Sequence, residues 1–387
     1  MINDHFSVFD CACGLPSFGG FMELFRDNYH SYQEAFGADD CSSPAMKAAI
    51  AQWLGLYYGG DGPLQLPYTI VRKLIRGIFA EYAPGEGVGN LPHIPAMELA
   101  LMAGESYLKP VIGDEVTWRA VSRGDILIFA RDENGAPTDV GLMEKRKDGR
   151  HWYTLLERRT LDGSGYLTVT NRLFRSANPN EPGREVSLKA LPCYAQLPAR
   201  YDYPQSLGGI GLVQVRLPMS NCVDGSREGV SIYAPAVELM ACLRENEAQL
   251  RREFANGSSR LVVSRDMLRD GQLKDDVFVA LDESPDAVGI TVFAPELREQ
   301  SYLNRQQAYL RAVENVIGLK RGLLSQVEAA DRTATEITSW EGEYMSTLWE
   351  LRRVWQQAAA EAMALEARLT ARDAREAEMD WGNGVHG

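Results

Sequence analysis

The sequence predicts an α+β fold, on three observations. Apolar residues recur at helical spacing on both sides of a middle stretch that lacks that period. The middle stretch, from Ser106 to about Leu197, carries short β-branched and aromatic runs separated by hairpin-turn signals. From Ile232 onward, three long amphipathic runs dominate, with one small β-type unit between the first two.

Residues 1 to about 42 are rich in Gly, Asp and aromatics without a period and read as an irregular arm. Ser42-Ser43-Pro44 is a helix start, a Ser N-cap followed by Pro at the first helical position. Met46, Ile50, Trp53, Leu54 and Tyr57 form its apolar face, and Gly59 to Pro63 ends it. Tyr68 to Tyr82 is a second helix, with Ile70, Leu74, Ile75, Ile78 and Phe79 on the buried stripe and Arg72, Lys73 and Arg76 off it. Residues 83–95 read as a loop and Ala96 to Leu101 as a short helix.

The runs at Tyr107, Glu115, Ile126, Trp152 and Tyr166 read as strands of one antiparallel sheet, with turns at Asp132-Glu-Asn-Gly, Lys147-Asp-Gly and Asp162-Gly-Ser-Gly. One face should pack on the preceding helices. Val213 to Pro218 adds a further strand. A helix then runs from Ile232 to about Ala255, dense in mixed charge, and Asn256-Gly257 stops it. Residues 258–292 hold three short strands, at Leu261, Val277 and Gly289, with a helical turn or loop at Asp266 to Asp270. A unit this small buries too little to stand alone, so neighbouring copies of the chain are expected to support it. Pro295 to about Leu319 is helical, with Leu303, Leu310, Val313 and Ile317 on one face, and Lys320-Arg321-Gly322 breaks it. The last helix runs from about Thr333 to Ala371, nearly 60 Å at about 1.5 Å per residue. Its seam of Ile337, Trp340, Tyr344, Leu348, Leu351 and Trp355 has the narrow spacing of helix-on-helix packing.

Composition narrows the function classes. The net charge of −13 argues against a protein that grips nucleic acid, although an acidic surface suits one that lets DNA slide past. No apolar run approaches the length of a membrane span, and Met1-Ile-Asn-Asp-His-Phe lacks a secretion leader, so assembly in the cytoplasm is expected. The six cysteines are scattered and the histidines dispersed, so no metal site and no cofactor is expected. Walker A, HExxH and strand-linked GxGxxG patterns are all missing, and Gly163-Ser164-Gly165 is a hairpin turn rather than a nucleophile elbow. His5 with Cys11 or Cys13 would be the only Cys–His pair to argue for hydrolysis, with no third group to orient it. The chain therefore reads as a non-enzyme.

Several stretches together resemble the portal proteins of tailed phages, in particular the minor capsid or portal proteins of siphophages infecting Gram-positive bacteria. The residues concerned are Phe293-Ala-Pro-Glu-Leu-Arg, Ile317-Gly-Leu and Asp331-Arg-Thr-Ala-Thr-Glu-Ile337, whose Thr333, Ala334, Thr335, Glu336 and Ile337 form the most specific element. Leu212 to Pro218 with Gly229-Val-Ser-Ile-Tyr233, and the helices around Ile50 to Tyr58 and Val71 to Glu81, extend the resemblance over roughly residues 45–385.

The resemblance implies names for the parts. Residues 1–228 would be the arm and wing, 229–256 the first stem helix, 257–292 the clip, 293–318 the second stem helix and 319–335 the tunnel loop. Residues 333–371 would be the long wing and crown helix, and 372–387 a tail, with the crown short or missing. It also implies a ring homo-oligomer, a dodecamer in this family, in the capsid vertex of a virion. The ring would conduct double-stranded DNA in packaging and ejection without sequence-specific contact. It would dock the terminase large subunit and a head–tail adaptor and meet major capsid and scaffold proteins, with no membrane partner. Lys320, Arg321 and Gln326 are the candidates to face DNA, and Arg244, Glu247, Arg251, Arg252, Arg305 and Arg311 the candidates for the ring interface. The rival readings are a long-helix scaffold or tail component without a channel and, further off, the Cys-dependent hydrolase.

Overall fold

The computed structural model describes residues 31–59, 64–80, 90–112, 115–256, 260–264, 278–281, 291–293, 298–326 and 334–383. The chain divides into two compact units. The first comprises residues 1–235 and 341–387, the second residues 236–340.

The first unit opens with α1 (Pro44–Tyr58), whose N-cap is Ser43: its hydroxyl accepts the Met46 N–H at 3.1 Å. Met46, Ile50, Trp53 and Leu54 are buried as expected. The second helix, α2 (Leu66–Ile78), stops four residues before the expected end at Tyr82. The third, α3 (His93–Ala103), begins three residues before Ala96. Gly104 ends α3 in the left-handed region at φ 86°.

The expected single sheet is two. One has the order β2-β1-β9, from β1 (Glu105–Ile112), β2 (Val116–Ser122) and β9 (Val213–Arg216), and it is this sheet that packs on α3. The other runs β3-β4-β5-β6-β7, with β8 also paired to β6. Its members are β3 (Ile126–Arg131), β4 (Pro137–Asp148), β5 (His151–Leu161), β6 (Leu167–Ser176), β7 (Arg184–Val186) and β8 (Arg200–Asp202). The chain splits this way because a short 3-10 turn, Arg123–Asp125, separates β2 from β3. Tyr107, Ile126, Ile128, Val140, Leu142 and Ile210 fill the core shared by the two sheets.

All three hairpin turns fall where expected. Asp132 and Asp162 act alike: each carboxylate accepts the backbone N–H groups two and four residues on, at 2.8–2.9 Å, with glycines at φ 82° and 81° closing the turns. Strand β4, twelve residues long, lies between the first two turns and was not expected. Val140, Leu142, Met143 and Lys145 are all buried on it, so both of its faces are covered and no alternation marks it. Gly141 sits against the Phe36 ring, which a Cβ would meet at 2.7 Å.

The last helix, α6 (Ala334–Asn383), is 50 residues long, about 75 Å. It extends twelve residues past Ala371, so the expected tail is largely helix. Of the expected seam, Leu348, Leu351 and Trp355 are buried and Tyr344 is half-buried, while the side chains of Ile337 and Trp340 lie outside the described residues; burial continues through Ala358, Ala362 and Leu365 to Leu369. Part of the seam does pack on a helix: Gly77 of α2 lies against Tyr344 and Leu348. Beyond it, Trp355 stands edge-on to Phe79 at 6.1 Å, and Arg352 donates to the carbonyls of Ile78 and Gly77 at 2.7 and 2.8 Å, satisfying the end of α2. Further along, Glu366 accepts the Trp118 indole N–H at 3.0 Å.

The second unit holds α4 (Val237–Asn256), α5 (Glu299–Ile317) and between them three short strands, β10 (Arg260–Ser264), β11 (Phe278–Leu281) and β12 (Thr291–Phe293). The strand order is β11-β10-β12, with β10 parallel to β11 and antiparallel to β12. Helix α4 starts five residues later than expected, behind a 3-10 turn at Ala234–Ala236. The turn expected at Asp266 to Asp270 lies outside the described residues. Among the described residues no helix is long and apolar enough to cross a membrane.

Candidate functional site

The candidate site is built from α4, α5 and the loop that follows α5. The two helices run antiparallel, because Glu253 at the end of α4 meets Arg298 at the start of α5 while Asn246 meets Tyr302 further along. Arg298 holds Glu253 with two bonds of 3.0 and 2.8 Å, and this pairing keeps the Glu253 carboxyl below its ordinary range. Asn246, 3% exposed, donates to the Tyr302 carbonyl at 3.1 Å and Arg305 reaches Gln249 at 3.3 Å. These bonds lie in the half of the pair that leads into β10.

Of the expected ring-interface residues, Arg251, Arg252 and Arg305 are exposed, while Arg244, Glu247 and Arg311 are half-buried. Arg251 pairs with Glu247 at 2.8 Å and Arg252 with Glu245 at 3.1 Å, both along the surface of α4 itself. The apolar face of α5 is narrower than expected: Leu310, Val313 and Ile317 are buried, but Leu303 is 36% exposed.

Helix α5 ends at Gly318, in the left-handed region at φ 76°, two residues before the expected break at Lys320. The loop then turns back over α5. Glu314, 0% exposed, takes four hydrogen bonds from it. Its Oε1 accepts the backbone N–H groups of Gly322, Leu324 and Ser325 at 3.1, 2.5 and 2.9 Å, and its Oε2 accepts the Ser325 hydroxyl at 2.7 Å. Seven residues earlier, and so on the same side of the helix, Gln307 accepts the Gln326 N–H at 2.7 Å. Lys320 and Arg321 are half-buried and Gln326 is exposed. Thr333 lies outside the described residues, while Ala334, Thr335, Glu336 and Ile337 form the first turn of α6.

Glu314 is not among the expected site residues, yet the sequence carries its signal. With Leu310, Val313 and Ile317 it occupies one stripe at helical spacing, so an acid interrupts an apolar face. It does so in the last turn, where the helix dipole disfavours negative charge.

The first unit carries two polar clusters that the sequence did not disclose. Arg123, 1% exposed, is held by Glu105 at 3.1 Å, Glu228 at 3.1 Å, Ser42 at 2.8 Å and the Ile126 carbonyl at 2.8 Å. Gln214 and Tyr107 bind the same Glu105, and burial together with that carboxylate raises the Tyr107 hydroxyl well above its ordinary value. This cluster ties the start of α1, β1, β9 and the 224–229 loop into one assembly. The second borders a cavity of about 410 Å³ between α3 and the two sheets, lined by Tyr57, Glu98, Lys109, Arg119, Glu144 and Glu157 among others. Burial works to raise the Glu157 carboxyl, but Lys109 and Arg159 outweigh it and hold it at about 2. Burial and Glu98 push the Tyr57 hydroxyl up, and burial and Glu144 do the same to Tyr194.

The four described cysteines, Cys41, Cys193, Cys222 and Cys242, are separate, exposed thiols, and His5, Cys11 and Cys13 lie outside the described residues.

No known protein family matches the chain, and no curated protein does. Among solved structures, the chain is similar to one in the "Neck of native GTA particle computed with C12 symmetry", at 11% identity and a TM-score of 0.49, over 87% of this chain and 85% of that one. A likeness that slight assigns neither a fold nor a role, so the α+β architecture described above stands on the chain's own elements.

Proposed function

We propose that this chain is the subunit of a portal, a closed ring in the capsid vertex of a tailed phage through which double-stranded DNA enters and leaves. The observation that carries the reading is the order of parts in and beside the second unit. A helix leads into a small three-stranded sheet, a second helix returns antiparallel to it, a tightly bonded loop follows, and a 50-residue helix begins after the loop. That order matches the stem, clip, stem, tunnel loop and spanning helix implied by the sequence resemblance. In this reading the 319–326 loop lines the channel and carries Lys320 and Arg321 toward the phosphates. The ring performs no chemistry of its own: the terminase motor supplies ATP hydrolysis, and a head–tail adaptor docks after packaging. Twelve copies are the number the resemblance favours. The net charge of −13 supports a conduit that lets DNA slide rather than a surface that holds it.

The test is direct. The purified full chain should give closed rings with a central hole in electron micrographs and a single oligomer mass by native mass spectrometry. A monomer or an open filament would overturn the reading. Replacing Lys320 and Arg321 together by Glu should leave ring mass unchanged and slow DNA packaging into heads. Normal packaging by that variant would remove the loop from the DNA path.

A further inference from the structure

We propose that Glu314 is the positioning residue of the loop after α5: it fixes the backbone that carries Lys320 and Arg321, so that the loop meets passing DNA as a rigid element. The role toward DNA rests on the portal reading; the fixing of the loop does not.

A helix end needs acceptors for few N–H groups, because its loose groups are carbonyls. Gly318 and Leu319 already satisfy two of those carbonyls, donating to Asn315 at 3.3 Å and to the Glu314 main chain at 2.8 Å. The Glu314 side chain is therefore not needed to cap α5. It serves the loop instead. A carboxyl group offers about four acceptor sites, and loop donors occupy that number here. Three backbone N–H groups within four residues point at one buried oxygen, and Gly322 among them sits in the left-handed region at φ 89°. Leu323 donates to the Lys320 carbonyl at 3.1 Å, so the segment bearing the cations is closed on itself as well as tied to α5. Gln307 adds a second tie at Gln326. The bonds satisfy loop N–H groups that would otherwise be buried without acceptors, and so hold the loop in one shape. A loop past which a charged polymer moves has a use for such a fixed shape.

Hydrogen exchange on the full chain tests the latch. The amides of Gly322, Leu324 and Ser325 should be protected in the native protein. In Glu314→Gln and Glu314→Ala their exchange should rise by about tenfold or more, while amides within α4 stay unchanged. Equal exchange in variant and native protein overturns the proposal. Should neither variant fold, Ser325→Ala removes one of the four bonds and must still speed exchange at Gly322 and Leu324 severalfold; no change there overturns it too. Packaging rate tests the positioning role. Glu314→Gln should slow packaging severalfold at unchanged ring mass, yet add nothing in the Lys320→Gln, Arg321→Gln background. An equal slowing in both backgrounds means that Glu314 acts on the fold at large, and the positioning role is then lost. Native protein that forms no rings ends the portal reading, and the role toward DNA with it, whatever the exchange data give.

Discussion

Glu157 offers the sharpest quantitative test of the first unit's architecture. It is 7% exposed on β5, ion-paired to Lys109 of β1, and accepts the Arg159 Nε–H at 2.6 Å. Arg159 in turn donates to the Ile210 and Gly211 carbonyls at 3.2 and 2.8 Å, so the acid lies at the junction of both sheets and the segment before β9. Its carboxyl falls from an ordinary 4.5 to about 2. Because the folded value is depressed, the ionised group stabilises the fold fully above the unfolded value, and the gain is lost as pH falls toward the folded one. At about 1.4 kcal/mol per unit the gain is on the order of 3 kcal/mol at neutral pH, and about half of it is gone by pH 3. Glu157→Gln should therefore lose on the order of 3 kcal/mol at pH 7, since it leaves the buried Arg159 and the half-buried Lys109 facing an amide. Urea unfolding of both proteins from neutral pH to about pH 3 reads this difference. Two curves separated by the same amount across the whole range, or not separated at all, would refute the reasoning.

Two substitutions test the packing elsewhere in the first unit. Gly104→Ala combines a left-handed φ of 86° with a Cβ placed 2.3 Å from the Gly229 backbone, so the chain should lose about 3 kcal/mol or more, read as a fall in the thermal midpoint. A midpoint within a degree or two of the native value would show that the close approach of Gly104 to the Gly229 backbone is absent. Trp355→Ala empties a site that is 1% exposed beside Phe79 and His93, and should cost about 3–5 kcal/mol in chemical denaturation. A cost under about 1 kcal/mol would mean that the α6 seam is not seated as described.

Features governed by neighbours in the chain were legible in the sequence. Ser43 before Pro44 names a cap whose partner is three residues away. Asp132 and Asp162 bond to N–H groups two and four residues on, so each turn is written in five consecutive residues. The three strands between α4 and α5, and the Leu348, Leu351 and Trp355 part of the α6 seam, followed from the sequence pattern alone. Together these determine the α+β class and the order of parts; the portal reading rests instead on the resemblance of particular stretches of the sequence.

Only the tertiary structure decided the rest, and the reason is distance along the chain. Ser42 bonds Glu228 across 186 positions and Arg123 bonds it across 105, so nothing local predicts that these charges are buried together. Strand β4 escaped because the stretch that defines it is covered on both faces and its Lys145 is buried against the Pro179 carbonyl, which erases the alternation a strand is recognised by. Glu314 stands between the two cases. The sequence shows an acid in an apolar stripe, a conflict that marks the place; the fold supplies the three backbone N–H groups that resolve it.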